Sequence, residues 1–380
     1  MFADFLKPVS KELQDFAKSC NSFCLGSFVR FTEEPNLGSI LEEEDKIAII
    51  GLQEFRSKNN DEQDDTHFDY VRTAFYELNK GNWYLPIYDF GDLISTTKKE
   101  EFGELFTKVL TELIKQKYFV IILGGSPSLA YYQYRAYDDL IKNINYFSVD
   151  EKLRLGNEIQ YVNDENYLTK IIVNEPLNLQ DFVNLGYQTY FVAQEELDLI
   201  NELNFEAIRL GLLTDDIKEA EHFIREANAG ILNLGSIESN SYKSSKDLTP
   251  NGFNSREICA LAKYIGSNNV LSSVYLSNYI EKYLKVDHLL VSQIIWYLIE
   301  GRNFRPERLN FKEGQYFEKI YVPSDINNFV FYRNYQTNQW WLEVKYNELE
   351  KVIPCSEKDY LQAQKGDVPS RWWKFFKKSY

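Results

Sequence analysis

The stretch Tyr118-Phe119-Val120-Ile121-Ile122-Leu123-Gly124-Gly125-Ser126-Pro127-Ser128 decides the fold. A strand with one wet face alternates apolar and polar residues, whereas an unbroken apolar run belongs to a strand covered on both faces, as in a parallel sheet clad by helices. Some twenty residues on, the run Asn145 to Val149 ends in the same way, on Asp150-Glu151-Lys152-Leu153-Arg154. Both runs deliver polar residues at a strand's C-terminal end, the edge where parallel sheets hold ligands.

Working outward, eight runs read as strands: Ile47 to Leu52, Tyr84 to Tyr88, Tyr118 to Leu123, Tyr146 to Val149, Gln188 to Val192, Ala207 to Leu213, Gly230 to Leu234 and Val270 to Leu276. Amphipathic stretches separate most of them. Thr66 opens a helix over His67 to Leu78, Thr214 to Asp216 open one over Ile217 to Ala227, and Asn254 or Ser255 opens Arg256 to Ile265, with Gly266 at its end. The pattern predicts a three-layer α/β/α sandwich around a mainly parallel sheet of about eight strands. Residues 1–45 read as a helical extension with a helix over Ser10 to Cys20, and the acidic stretches Glu42 to Asp45 and Asn59 to Asp65 read as solvated. After Gly301 the composition turns aromatic. Phe317 to Val322, Phe329 to Tyr332 and Trp340 to Tyr346 read as strands, the last two joined by a turn at Gln336 to Gln339, with a helix over Glu357 to Lys365. This gives an α/β domain over 46–305 and a β-hairpin-rich unit over 306–380.

The chain has 380 residues, 44% of them hydrophobic, enough for a full core, and a net charge of −15. That charge argues against a broad nucleic-acid surface, which needs clustered Lys and Arg. No apolar run approaches the ~20 residues that cross a bilayer, so the expected compartment is the cytoplasm. Four scattered cysteines make no disulfide framework, and Cys20 and Cys24 read as buried small hydrophobes. His67, His222 and His288 lie in no catalytic pattern.

The two strand-end motifs resemble the leading metal motifs of the arginase, agmatinase and formimidoylglutamase (ureohydrolase) family, Gly-Gly-Asp-His-Ser and Asp-Ala-His-x-Asp, which bind two manganese ions. The likeness spans roughly residues 45 to 305 and is strongest to a formimidoylglutamase-like subfamily with degenerate motifs. Carried over, the first-motif histidine falls on Pro127, the second-motif Asp, His and Asp on Asp150, Lys152 and Arg154, and the third-motif Asp-x-Asp on Gly235 and Ile237. Asp150 alone keeps a ligand side chain. A binuclear centre needs enough carboxylate and imidazole donors to offset about four positive charges. One carboxylate cannot, so no cofactor is expected, and manganese only if an altered site still binds it. Lys152 and Arg154 could instead pair with Asp150 and fill the pocket; the alternative is that they point to solvent.

What the resemblance implies is therefore a catalytically inactive pseudoenzyme acting as an interaction or scaffold protein. A hydrolase of linear amidines with an altered site around Asp150 is the second reading. The third is a sensor of guanidino or amino-acid-like ligands, with Ser126, Asp150, Arg154 and Asn278 lining the old pocket. Degenerate relatives occur beside gliding-motility or type IX secretion components, which implies a protein partner in a membrane-associated assembly and a peripheral place at the inner membrane. Trp340, Trp341 and the closing basic, aromatic segment with Arg371, Trp372, Trp373, Phe375 and Phe376 are the candidate contacts. The plainer alternative packs the tail tryptophans on their own hairpin. Homo-oligomers are a further expectation from the family.

Overall fold

A computed structural model of the chain describes residues 5–31, 45–54, 68–96, 98–158, 160–245, 247–280, 284–305, 316–324, 328–346 and 349–379. In chain order come β1 (Leu6–Lys7), α1 (Lys11–Ser19), β2 (Arg30–Phe31), β3 (Lys46–Leu52), α2 (Asp69–Glu77), β4 (Ile87–Leu93) and α3 (Lys99–Lys115). Next are β5 (Tyr118–Leu123), α4 (Ala130–Arg135), β6 (Ile144–Val149), α5 (Tyr167–Val173), β7 (Leu179–Tyr187), α6 (Gln194–Glu202) and β8 (Glu206–Arg209). They are followed by α7 (Leu210–Asp215), α8 (Ala220–Ile224), β9 (Ala229–Asn233), α9 (Ser255–Gly266), β10 (Ser273–Ser277) and α10 (Lys285–Asn303). The ten strands form one sheet in the order β1-β4-β3-β5-β10-β9-β6-β7-β8, with β2 beside β4. Only β1 runs antiparallel to its neighbour.

The alternation hidden in the apolar runs sorts side chains between two cores. Phe119, Ile121 and Leu123 of β5 join Ile47 and Ile49 under α2, α9 and α10, while Tyr118, Val120 and Ile122 join Ala48 and Ile50 under α3, α4 and α5. With both faces dry, every strand residue can be apolar. Helices α9 and α10 touch backbone to backbone: a Cβ on Gly266 would lie 2.1 Å from the Leu298 carbonyl oxygen, and one on Gly301 would lie 2.2 Å from that of Lys263. Gly266 is thus the last residue of α9, present for close packing as well as termination. Asn254 caps α9, its side chain accepting from the Arg256 and Glu257 N–H groups at 2.9 and 3.1 Å while Glu257 accepts from the Asn254 N–H at 2.9 Å.

Several expected elements shift. The second strand is Ile87–Leu93 rather than Tyr84 to Tyr88, because its acidic Asp89 and Asp92 are buried against Arg72 at 2.9 and 2.8 Å. The strand placed at Gln188 to Val192 is β7, ending at Tyr187, and the run from Ala207 breaks at Leu210, where α7 begins. Residues 217–227 form a 3-10 turn followed by the short α8. The N-terminal segment adds two strands to the sheet as well as its helix. Asp45 pairs with Arg302 at 3.3 Å instead of facing solvent alone. Cys20 and Cys24 are half-buried, whereas Cys259 and Cys355 are buried. Thr66, His67, the stretch Asn59 to Asp65 and Glu42 to Glu44 lie outside the described residues.

At the C-terminus, β11 (Phe317–Val322), β12 (Phe329–Asn334), β13 (Trp340–Tyr346) and β14 (Leu349–Cys355) form a separate antiparallel sheet, followed by α11 (Glu357–Gln364) and α12 (Ser370–Ser379). Trp340 and Trp372 are buried in its core, and Trp341 is 5% exposed, with the Arg225 guanidinium 4.5 Å from its ring centroid. The tail cations are also engaged: Arg371 and Lys374 pair with Glu206, and Lys378 pairs with Asp181 at 2.7 Å. Of the residues expected to meet a membrane or partner, Trp340, Trp341 and Trp372 therefore face inward, Phe375 and Phe376 pack partly on the small core, and Trp373 remains 49% exposed. The unit sits at the amino ends of β6, β7 and β8, where Asn145, Asp181, Glu206, Pro354 and Arg371 line one small crevice. No helix among the described residues is long and apolar enough to cross a membrane.

His222 is buried at this junction. Burial first, then the charges of Arg371, Arg225 and Lys358, hold its imidazole well below its ordinary value. The unfolded chain takes up that proton near pH 6.5 and the folded chain does not, so this contribution to stability is present at neutral pH and lost as pH falls below about 6.5. Replacing His222→Gln should flatten the loss of stability between pH 6.5 and 5 by up to about 1.4 kcal/mol per pH unit, read as urea midpoints of the two chains.

Candidate functional site

At the end of β5 the backbone enters the left-handed region at both Gly124 and Gly125 (φ 72° and 85°), and a Cβ on Gly124 would lie 2.3 Å from the Phe68 ring. Glycine alone makes this turn without strain or clash. It leaves Ser126 as the cap of a 3-10 turn, Pro127–Leu129, with its hydroxyl 2.6 Å from that of Ser128 and donating to Asp164. Asp164 also accepts from the Ser128 N–H at 3.1 Å. Burial alone would raise its carboxyl, but Lys99 and these hydrogen bonds outweigh burial and hold it below the usual value.

Three strands along the sheet, past β10 and β9, β6 delivers Asp150 and Arg154, respectively 0% and 1% exposed. Arg154 adopts a left-handed φ of 58°, which a long side chain rarely accepts, and its guanidinium grips Asp150 through Nε and Nη2, each at 3.0 Å. Its other contacts are Glu151 Oε1 at 3.3 Å, Glu165 Oε1 at 3.1 Å and the Asp164 carbonyl oxygen at 3.4 Å. Burial disfavours the charged guanidinium, but Asp150 and Glu151 more than offset it and raise its pKa well above the ordinary value. Asp150 accepts two further hydrogen bonds, from the Lys152 N–H at 3.1 Å and from Asn233 Nδ2 at 3.1 Å. A carboxylate offers about four lone-pair positions, and here four N–H donors take them. Asn184, also buried, donates to Ser148 Oγ at 2.9 Å and to the carbonyl oxygens of Asp150 and Lys152.

The anticipated residues thus divide. Asp150 and Arg154 meet as a buried, bidentate pair, while Lys152 turns outward to Glu165 at 3.1 Å. Ser126 joins the cluster through Asp164. Asn278 lies farther along the crest, its N–H donating to the Gly125 carbonyl at 2.8 Å and its amide to Asp247 at 3.3 Å. Pro127 is buried in the 3-10 turn, Gly235 packs tightly against Asn278 and Asn233, and Ile237 is part of the apolar core. Glu151, Asp164, Glu165, Asn184 and Asn233 were not anticipated. Asn233 carries a sequence signal of its own, a polar residue closing an apolar strand.

This donor set does not fit a divalent metal centre. Prolyl, glycyl and isoleucyl side chains offer no ligand atom, and the one retained carboxylate is filled by donors, two of them from a fixed cation. Among the described residues, no group of three or more His, Cys, Asp or Glu side chains is arranged to hold an ion.

Removing one partner of a buried ion pair strands the other, at a cost of about 3–5 kcal/mol. Arg154→Met should therefore lower unfolding stability by that amount. The double replacement Asp150→Leu with Arg154→Met should recover much of the loss in a denaturant-based mutant cycle. Glu151 behaves differently: burial first, then the charge of Asp150, push its carboxyl up to about 8 although Arg154 pulls the other way. An unfolded glutamate releases its proton near pH 4.3, so stability from this group declines as pH rises from about 4.3 to 8. Glu151→Gln cannot ionise. It should be more stable than the parent at pH 8 by about 1–3 kcal/mol and show no such gain at pH 4, by the same denaturation measurement.

The sequence matches no protein-family model and no curated protein. Solved structures do match. Formiminoglutamase of Trypanosoma cruzi with manganese is 15% identical, with a TM-score of 0.61 over 71% of this chain and 97% of that one. Formimidoylglutamase of Bacillus subtilis is 14% identical, with a TM-score of 0.60 over 70% and 90%. Arginase of the same bacterium is 14% identical, with a TM-score of 0.56 over 67% and 98%. At such identities the likeness is one of fold. The chain has the fold of the arginase and formimidoylglutamase structures, a three-layer sandwich around a mostly parallel sheet, with a small four-stranded antiparallel unit at its C-terminal end.

Proposed function

We propose that this chain is a catalytically silent protein of the ureohydrolase fold that works by binding a protein partner, as an interaction or scaffold component. The observation that carries the reading is the saturation of Asp150: Arg154, Asn233 and the Lys152 N–H take its acceptor positions. A metal ion there would have to evict a guanidinium held by further contacts to Glu151, Glu165 and the Asp164 carbonyl. Catalysis through an altered metal site, or recognition of a guanidino ligand, would need Asp150 open. Its burial and hydrogen bonding speak against both.

The location within a membrane-associated secretion or motility assembly belongs to the same proposal. The paired cations and the buried Trp372 of the tail speak against direct lipid contact through that segment. Manganese titrated into the purified chain should give no saturable heat and no rise in melting temperature. Uptake of two ions per chain with appearance of amidine hydrolysis would overturn the silent reading. Tagged chain recovered from the native cell should carry a stoichiometric protein companion, and recovery of the chain alone would remove the scaffold role.

A further inference from the structure

Away from the crest, α2 and the first turns of α10 leave an open apolar groove of about 350 Å³. Its walls follow helical spacing: Tyr70, Thr73, Ala74 and Glu77 from α2, and Lys285, His288 and Leu289 from α10. The helices climb side by side, since Tyr70 stacks on His288 with ring centroids 5.2 Å apart, Ser292 donates to the Val71 carbonyl at 3.0 Å, and Trp296 donates to that of Asn79 at 2.8 Å. His288 is fixed from below by the Tyr279 hydroxyl at 3.0 Å. Ala74 and Thr73 are the smallest of the side chains that line the groove.

The rim is apolar and exposed. Of its lining residues Tyr70 is 44% and Leu289 37% accessible, and Val286, next to Lys285 in the first turn of α10, is 72% accessible. The ends of the groove carry opposite charges. Glu77 closes α2 and Lys285 opens α10, both exposed, and no ion pair to either is present among the described residues. A pair of parallel ridges with small lining residues and a charge of each sign at the ends is the complement of an amphipathic helix.

We propose that this groove seats an amphipathic helix of a partner protein, which drops a large apolar side chain over Ala74 and offers a cation to Glu77 and a carboxylate to Lys285. The inference rests on the reading of the chain as an interaction protein and names the surface and the partner's chemistry. It gives α10 two jobs on two faces: its inner side packs on the sheet and α9, and its first turns hold the guest. The matching of charge fixes the direction in which that guest lies.

The test is a phage-displayed helical peptide library selected on the full chain, followed by fluorescence anisotropy with the enriched peptides. Enrichment of sequences with a large apolar residue between a base and an acid is expected. Binding should weaken about tenfold or more with Glu77→Lys, an exposed change that leaves the melting temperature in place, and return when the peptide's base is exchanged for an acid. Ala74→Phe, which adds bulk to the groove lining, should also weaken it. Peptides that bind the Glu77→Lys chain as tightly as the parent, or no enrichment at all, would overturn the proposal. So would a monomer-to-dimer change in mass on Ala74→Phe or tighter peptide binding on deleting residues 55–65, because the occupant would then be a second copy or the chain itself. A native partner retained equally by the Glu77→Lys chain would sink the groove and leave the interaction reading standing.

Discussion

One guanidinium organises the carboxyl edge of the sheet. Arg154 spends its N–H donors on Asp150, Glu151, Glu165 and the Asp164 carbonyl, and so ties the end of β6 to the loop that precedes α5. Asp164 then reaches the turn after β5, and Asp150 reaches Asn233 at the end of β9. Three strand ends are thereby joined through one buried cation. In the low dielectric of the interior such a network is strongest where its members are satisfied, as Asp150 is by four donors, while Glu151 Oε2 has no hydrogen-bond partner among the described residues. The left-handed backbone of Arg154 is tolerable because five contacts hold the side chain where that geometry sends it.

A second cluster does the same work at the other end of the sheet, where Arg72 of α2 grips Asp89 and Asp92 of β4. This pairing explains why β4 was hard to place from sequence. Two aspartates within a strand look like a strand's end, and nothing local says that an arginine some seventeen residues earlier neutralises them. By contrast β5 was legible because burial on both faces leaves it no polar interruption, and β3, β6 and β9 because apolar side chains dominate them. The polar Gln180, Asp181 and Asn184 disguised β7, and Lys351 and Pro354 disguised β14, which lies at a sheet edge where proline is tolerated.

Legibility of the site followed the same division between local and distant. The four-residue spacing of Asp150 and Arg154 placed both on one strand end, so their meeting could be anticipated from the motif. Asp164, Glu165 and Asn233 enter from other segments, and only the folded chain brings them in. The aromatic tail shows the converse. Its composition left two readings, an exposed surface or tryptophans packed on their own hairpin, and neither showed that its cations find Glu206 and Asp181 on the neighbouring domain, a complementarity that composition alone cannot display.

The contact between α9 and α10 has a mechanical consequence. With glycine on both sides and carbonyl oxygens filling the space where side chains would be, the two helices cannot slide past one another by even one residue without collision. They behave as a single beam lying across the sheet. A load taken up at the first turn of α10, which Asp287 ties to Lys243 and Ser244, would therefore pass to α9 and to the segment that carries those two residues rather than stay local.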